Sequence, residues 1–337
     1  MSGLAGLVDR APRRALALLA AFLAVLVALP PFLDRYLLSV LFLMFWFATV
    51  SQAWNIMMGF CGQLSLGHAL YVGLGGYVAA LLYVSFGIPV VVGIVPAMLV
   101  AVAAGAAIGF LSFRFGIEGV YFALLTIAFA EVARIGFDNW PLVGGAAGLF
   151  IPVRAGGGGE WWNLRGGPIL FYYVGLALMA VAFVICALLR HSKLGYAWLA
   201  VREDPEAARA LGVDVFRAKM TAIAISSAMT AVAGAVYAFY QNNLFPSQAF
   251  DFSRSIELFL EPIVAGLGTL FGPILGAFIL TPLGQGLIAA TEHLVGKSVP
   301  GANLIFYGVA LMLIVWYAPT GVWPWLKRKL GIPEERS

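Results

Sequence analysis

Long apolar runs cut by short polar breaks set the pattern of this chain. Residues 36–113 form a run of 78 without Asp, Glu, Lys or Arg, in which His68 is the sole ionisable side chain of the usual kind. A bilayer crossing takes about 20 residues rising about 1.5 Å each, so that run holds three crossings joined by very short turns. The same reading along the rest of the chain predicts about ten membrane segments, near 15–33, 36–59, 66–85, 88–112, 119–137, 168–189, 220–240, 255–267, 273–291 and 303–320. The predicted fold class is all-α, a polytopic transmembrane helical bundle that includes short or broken helices. Gly59, Gly62, Gly67, Gly73, Gly75 and Gly76 cluster in the first half, and Gly266, Gly268, Gly272, Gly276, Gly284 and Gly286 in the second, where Pro262, Pro273 and Pro282 interrupt the segments. Glycine lets helix backbones approach closely, as at Gly105-x3-Gly109 and Gly272-x3-Gly276, and with proline it permits broken helices whose freed backbone groups line a cavity. Interrupted segments in both halves point to a transport pathway, and simple tight packing leaves the same trace. No duplication is clear enough to read as a repeat.

Composition identifies the solvent. The chain is 62% hydrophobic and 11% charged, whereas soluble domains run at roughly 25% charged. An ordinary globular core cannot absorb that much apolar sequence, so the surroundings are lipid. Lys and Arg placement then orients the chain. With the N-terminus in the cytoplasm, the inside carries Arg10, Arg13, Arg14, Arg114, six basic residues of 190–219, and Lys327, Arg328, Lys329 and Arg336. The outside keeps Arg35, Arg154, Arg165, Arg254 and Lys297. This predicts a cytoplasmic N-terminus over 1–14, a membrane domain over 15–325 and a cytoplasmic tail over 326–337. Arg10, Arg13 and Arg14 before an apolar run resemble a signal peptide. The run is longer than a usual signal core and ends at Pro30-Pro31 without a small-x-small cleavage site, so an uncleaved first transmembrane helix is expected. Cys61 and Cys186 read as small hydrophobic side chains, with no disulfide framework and no metal spacing. Two outer loops stand out. The 138–167 loop holds Gly144-Gly145, four glycines at 156–159 and Trp161-Trp162, which either sit at headgroup level or form a lid or docking surface for an external partner. The 241–254 loop holds Gln241, Asn242, Asn243 and Pro246.

The 190–219 stretch concentrates ten charged side chains between two very hydrophobic spans. Within it, residues 204–212 read as a short, well-capped helix. Asp204 caps the first free N–H groups, Pro205 suits the first helical position, and Glu206 favours the positive end of the helix dipole. Ala207, Ala208 and Arg209 continue the helix, and Gly212 offers the left-handed conformation that ends it. A solvated loop obeying the positive-inside rule explains the basic residues but not the capped helix, which reads as a docking element.

Other candidate chemistry is weighed against packing. Gly296-Lys297-Ser298 resembles the end of a phosphate-binding loop, but the motif needs glycine at 291, where this chain has Thr291. Ser65 and His68, three residues apart, could share a helical face as nucleophile and base. Gln63 replaces the first glycine of the nucleophile elbow, however, and no acid is placed to orient the histidine. Asn55, Gln63, Ser65 and His68 are therefore either polar packing between helices or the lining of a substrate path. Glu131 and Arg134 are spaced i, i+3 near the outer end of the fifth segment. A charge at the bilayer centre costs about 2.5–3.5 kcal/mol, so the two should pair or sit near the interface. They are either a neutralised pair fixing one helix against another or have a role in the pathway. Glu257 and Glu261 lie one helical turn apart, and their repulsion predicts that at least one faces water or a partner.

Glu206-Ala207-Ala208-x3-Gly212 matches the EAA-x3-G core of the coupling loop in ABC-importer permeases. Further patches resemble LivM-type permeases of branched-chain amino acid ABC transporters. They are Gly59-x2-Gly62-Gln63-Leu64-Ser65-Leu66-Gly67-His68, Gly119-Val120-Tyr121-Phe122-Ala123-Leu124-Leu125-Thr126 continuing to Glu131-Val132-Ala133-Arg134-Ile135, Leu211-Gly212-Val213 through Lys219, Ala233-Gly234, Gly144-Gly145-x2-Gly148, Gly266-Leu267-Gly268-Thr269 and Pro319-x-Gly321-Val322. The resemblance runs from about residue 36 to 325, and its strength lies in the order of the patches. It implies a transport subunit without catalytic activity, placed in the bacterial cytoplasmic (inner) membrane. It also implies a second permease of LivH type, two cytoplasmic ABC ATPases that hold the ATP and Mg, and an extracytoplasmic solute-binding protein. No cofactor, metal or nucleic acid is expected on this chain. The family handles branched-chain and other hydrophobic amino acids, and related members take urea, amides or aromatic acids. Residues 204–212 would be the helix seated in a groove of the ATPase. The glycine-rich 150–167 insert departs from the family pattern where a binding protein would dock. The competing expectation is a self-contained secondary transporter or channel coupled through His68, Glu131 or Glu257.

Overall fold

The computed structural model describes residues 22–152 and 161–295, isolated positions from 308 to 317, and 321–330. The 1–14 terminus, residues 15–21, most of 303–320, the glycines at 156–159 and residues 331–337 lie outside the described residues. Six described helices are long and apolar enough to cross a membrane. They are α1 (Arg35–Asn55, continued by a π-helical turn Ile56–Phe60), α2 (His68–Phe86), α3 (Val90–Arg114), α4 (Val120–Asp138), α5 (Pro168–Arg190) and, after two short helices, α8 (Val215–Gln241). Three of the six starts are legible locally. Asp34 Oδ1 accepts from Leu37 N–H at 2.8 Å to cap α1, Pro168 opens α5, and Asp214 accepts from Arg217 N–H at 3.0 Å to cap α8. That cap is why the helix expected from residue 220 begins five residues earlier, inside the stretch expected to be loop.

The two short helices are α6 (Lys193–Glu203) and α7 (Pro205–Ala210). After α8 come one turn, α9 (Pro246–Ala249), then α10 (Phe252–Ala265), α11 (Gly272–Val295) and α12 (Val322–Leu330). α10 and α11 form a hairpin. Their expected segments, 255–267 and 273–291, are present as one short helix and one helix that runs to the edge of the described residues.

α1 and α8 form the centre of the bundle. The α2–α8 contact is made by glycine: a Cβ on Gly75 would stand 2.2 Å from the Ala231 carbonyl oxygen, and one on Gly234 2.2 Å from that of Val72. Gly105 and Gly109 likewise face Ser227 and Met220 of α8, so the small-x3-small spacing marks a real contact. Trp46 Nε1–H donates to the Ala233 carbonyl at 2.8 Å and locks α1 to α8. At the end of the bundle that carries residues 138–152 and 161–167, β1 (Leu149–Phe150) pairs antiparallel with β2 (Asn243–Leu244), and Arg165 donates to Asn242 at 2.6 Å. The two outer loops are thus joined, and the same end carries the stacked rings of Trp161 and Trp162.

Candidate functional site

Two breaks in the helical bundle cross at the opposite end. α1 passes into the π turn, and residues 61–67 then run without helix before α2. The second break is 266–271, between α10 and α11, where Gly266 and Gly268 take φ of +133° and +73°. Asn55 joins them. Its Nδ2 donates to the Thr269 carbonyl at 2.9 Å, and its Oδ1 accepts from Gly268 N–H at 2.9 Å. The backbones touch: a Cβ on Gly59 would lie 2.7 Å from Gly268 N, and one on Gly268 2.8 Å from the Gly59 carbonyl oxygen. Only glycine fits this crossing.

The 190–219 segment seals the crossing from outside. Arg202, on α6, donates from Nη1 to the Gly59 carbonyl at 2.6 Å. Arg190, ending α5, donates from Nη1 to the Gly268 carbonyl at 2.8 Å. Each freed carbonyl therefore receives a guanidinium from the same charged segment. Charge-assisted bonds of this kind are among the stronger in proteins. Below them lies α7. Asp204 Oδ1 accepts from the N–H groups of Glu206 and Ala207 at 2.8 and 3.0 Å. The helix closes in a Schellman arrangement, with Val213 N–H donating to the Ala208 carbonyl, Gly212 N–H to that of Arg209, and Gly212 at φ +86°. The inner face of α7 is Ala208, buried in a small core with Ile56, Phe60 and Cys61 of the first break and Trp198, Val201 and Val215. Its outer side exposes Glu206, Ala207 and Arg209, and beyond it Leu211 is 84% exposed. Lys219 on α8 is buried and ion-paired to Glu118 of the α3–α4 turn.

The residues expected either to pack or to line a path are all interior: Asn55, Gln63, Ser65 and His68 are 2, 7, 1 and 1% exposed. His68 opens α2 inside a directed chain of hydrogen bonds. Ser226 donates to the Ala53 carbonyl at 2.7 Å, so it accepts from His68 Nε2–H at 2.8 Å, and His68 Nδ1 accepts from Ser65 Oγ at 3.1 Å. The Ser65–His68 proximity exists, but the far nitrogen meets a hydroxyl where a hydrolytic triad would place a carboxylate. Gln63 donates to the Cys61 carbonyl at 3.2 Å and shapes the same turn.

On α4, Arg134 pairs with Glu131 at 2.6 Å and with Asp138 at 2.7 Å. Glu261 is buried, accepting from Ser51 at 2.6 Å and Thr281 at 3.2 Å, while Glu257 is half-buried. Sequence reasoning counted Arg190 and Arg202 only as inside charges and passed over Asp138 and Ser226. Nothing local could have marked the two arginines, since their partners lie 78 and 143 residues away.

Comparison with known proteins follows the same geography. Residues 36–316 match the family described as branched-chain amino acid transport system / permease component. The chain is 30% identical to the high-affinity branched-chain amino acid transport system permease protein LivM of Escherichia coli K12, over 93% of this chain and 76% of that protein. It is 25% identical to a probable LivM permease of Methanocaldococcus jannaschii, over 84% of this chain and 92% of that one. The LivH permease of the same E. coli system is 28% identical over 47% of this chain and 45% of its own length. No solved structure matches the chain. The family match takes in all six apolar crossings, the capped helix and both breaks, and the chain therefore belongs to the branched-chain amino acid transport permeases, as a multi-pass membrane protein.

Proposed function

We propose that this chain is the membrane subunit of an ATP-driven importer, forming a translocation path together with a second permease of LivH type. Two cytoplasmic ATPases carry the ATP and Mg and dock on residues 204–212, and an extracytoplasmic solute-binding protein delivers the solute. The relatives' names support a branched-chain or other hydrophobic amino acid as cargo. In this reading the protein sits in the bacterial cytoplasmic membrane with about ten crossings and both termini in the cytoplasm. The single observation that carries the reading is the position of α7. Its outer side is exposed, and its inner face rests on the same small core as the first break.

A ligand or partner shifts an equilibrium only through contacts that differ between the two states. α7 offers the ATPases such a contact. A push on it reaches Ile56 and Phe60 through Ala208, and reaches Gly59 and Gly268 through Arg202 and Arg190. Asn55, Gln63, Ser65 and His68 hold the shape of the break that moves. The test is purification of the tagged chain from native membranes in mild detergent, with mass spectrometry of what stays bound. Recovery of an ABC ATPase and a second hydrophobic permease is the expected result. Uptake by this chain alone, without ATP, would overturn the proposal in favour of a self-contained transporter.

A further inference from the structure

We propose that the uncovered face of α4 is the wall this subunit contributes to a water-filled path, and that the second permease closes the opposite side. The inference deepens the permease reading and rests on it. Three crossing helices leave broad faces open on the subunit. That of α3 presents Val91, Val95, Leu99, Phe110 and Leu111, and that of α5 presents Ile169, Tyr173, Val181 and Val184. Neither face carries a charge within the crossing, as contact with lipid favours.

α4 differs. Its apolar stretch is 22% buried, close to the 28% of α3 and below the 39% of α5, so charge rather than exposure sets its face apart. Its open stripe runs through Tyr121, Leu124 and Ala128 to Glu131 and Ile135, at spacings of three and four residues that keep one helical face. The Glu131 side chain is 52% exposed, roughly 10 Å below the Asp138 end of the helix at about 1.5 Å per residue. An ionised residue at that depth faces a bundle interior or a water-filled cavity, because hydrocarbon cannot solvate it. Arg134 is shared between Glu131 and Asp138, which leaves the group net negative.

The same stripe continues into an open groove of about 740 Å³, lined by Ile117, Glu118, Tyr121, Leu124, Leu125 and Ala128. Groove and stripe thus run from Glu118, beside the docking segment, to the charged group near the other end. This is the shape of half a conduit: apolar walls, carboxylates at both ends, and one side missing. The second permease is the fitting occupant of the missing side, since this family supplies two distinct permeases, LivM and LivH, to one E. coli system.

The experiment places single cysteines at Leu124→Cys and Ala128→Cys on α4, and at Val95→Cys and Leu99→Cys on α3, in the full transporter in membrane vesicles. The native Cys61 and Cys186 are buried and give a low background. The probe is 2-sulfonatoethyl methanethiosulfonate, a charged reagent that reads only water-exposed thiolates. The α4 cysteines should react at least about tenfold faster than those of α3, because thiolates form in water and not in lipid, and their modification should stop uptake. Reaction at both α4 positions no faster than at α3 would overturn the wall assignment, whether lipid or a dry subunit contact covers them. ATP-dependent uptake by the unmodified transporter in the same vesicles separates the two readings. If it persists, only the wall falls; if it is absent, the permease reading falls too.

Discussion

At the scale of single residues, the crossing of the two breaks depends on Asn55 and two glycines. Asn55 satisfies one donor and one acceptor that neither helix can satisfy internally. Asn55→Ala leaves both unpaired at a half-buried site, which should cost about 1–2 kcal/mol. Gly59→Ala should cost a similar amount, about 1–3 kcal/mol by overpacking, since its Cβ would stand 1.9 Å from Asn55 Oδ1 and 2.7 Å from Gly268 N. The two sites share a contact, so the double variant should be less destabilised than the sum of the singles. Thermal unfolding of the four proteins in detergent checks this, and strict additivity would mean the contact is not formed. Ser65 and His68 belong to the same scale. Their hydrogen-bond chain ends on the Ala53 carbonyl and ties α2, α8 and the end of α1 together.

At the scale of elements, α6 and α7 act as one bracket. Trp198 Nε1–H donates to the Ala218 carbonyl at 2.8 Å and fixes α6 against α8, while Ala208 seats α7 on the small core. Arg202→Gln removes the guanidinium held by Gly59, and Gly212→Pro removes the left-handed turn that closes α7. Both variants should retain ATPase activity in the assembled complex and lose most ATP-driven uptake. Parallel assays of hydrolysis and uptake in proteoliposomes check this, and normal uptake by inserted Gly212→Pro protein would remove the coupling assignment. The helix itself was legible in the sequence, because capping is a local matter: Asp204, Pro205 and Gly212 each act within three residues of their own position. α6 is less legible, because its buried face carries just Gly195, Trp198 and Val201 and lies in a charged stretch, so its place is set by packing against α8.

At the scale of the molecule, the exposed surfaces sort by what can cover them. On the α3 face, Leu99→Phe should leave expression and uptake within error of the parent. Leu99→Lys should lower the inserted fraction, as an insertion cost of about 2.5–3.5 kcal/mol at mid-helix implies. Quantifying inserted protein by detergent extraction and fluorescence gel filtration checks both, and tolerance of lysine there would show that α3 does not face lipid. The sequence alone determined the lipid solvent, the helical class, the six long crossings to within a few residues and the capped helix. All of these follow from run length, composition or a cap within one turn. Tertiary structure decided the rest: that Asn55 meets Gly268 across 213 positions, that Arg190 and Arg202 answer the carbonyls freed at both breaks, and that α4 alone among the open faces bears charge. Those facts are contacts between distant parts of the chain, or gaps left after packing, and no local spacing encodes either one.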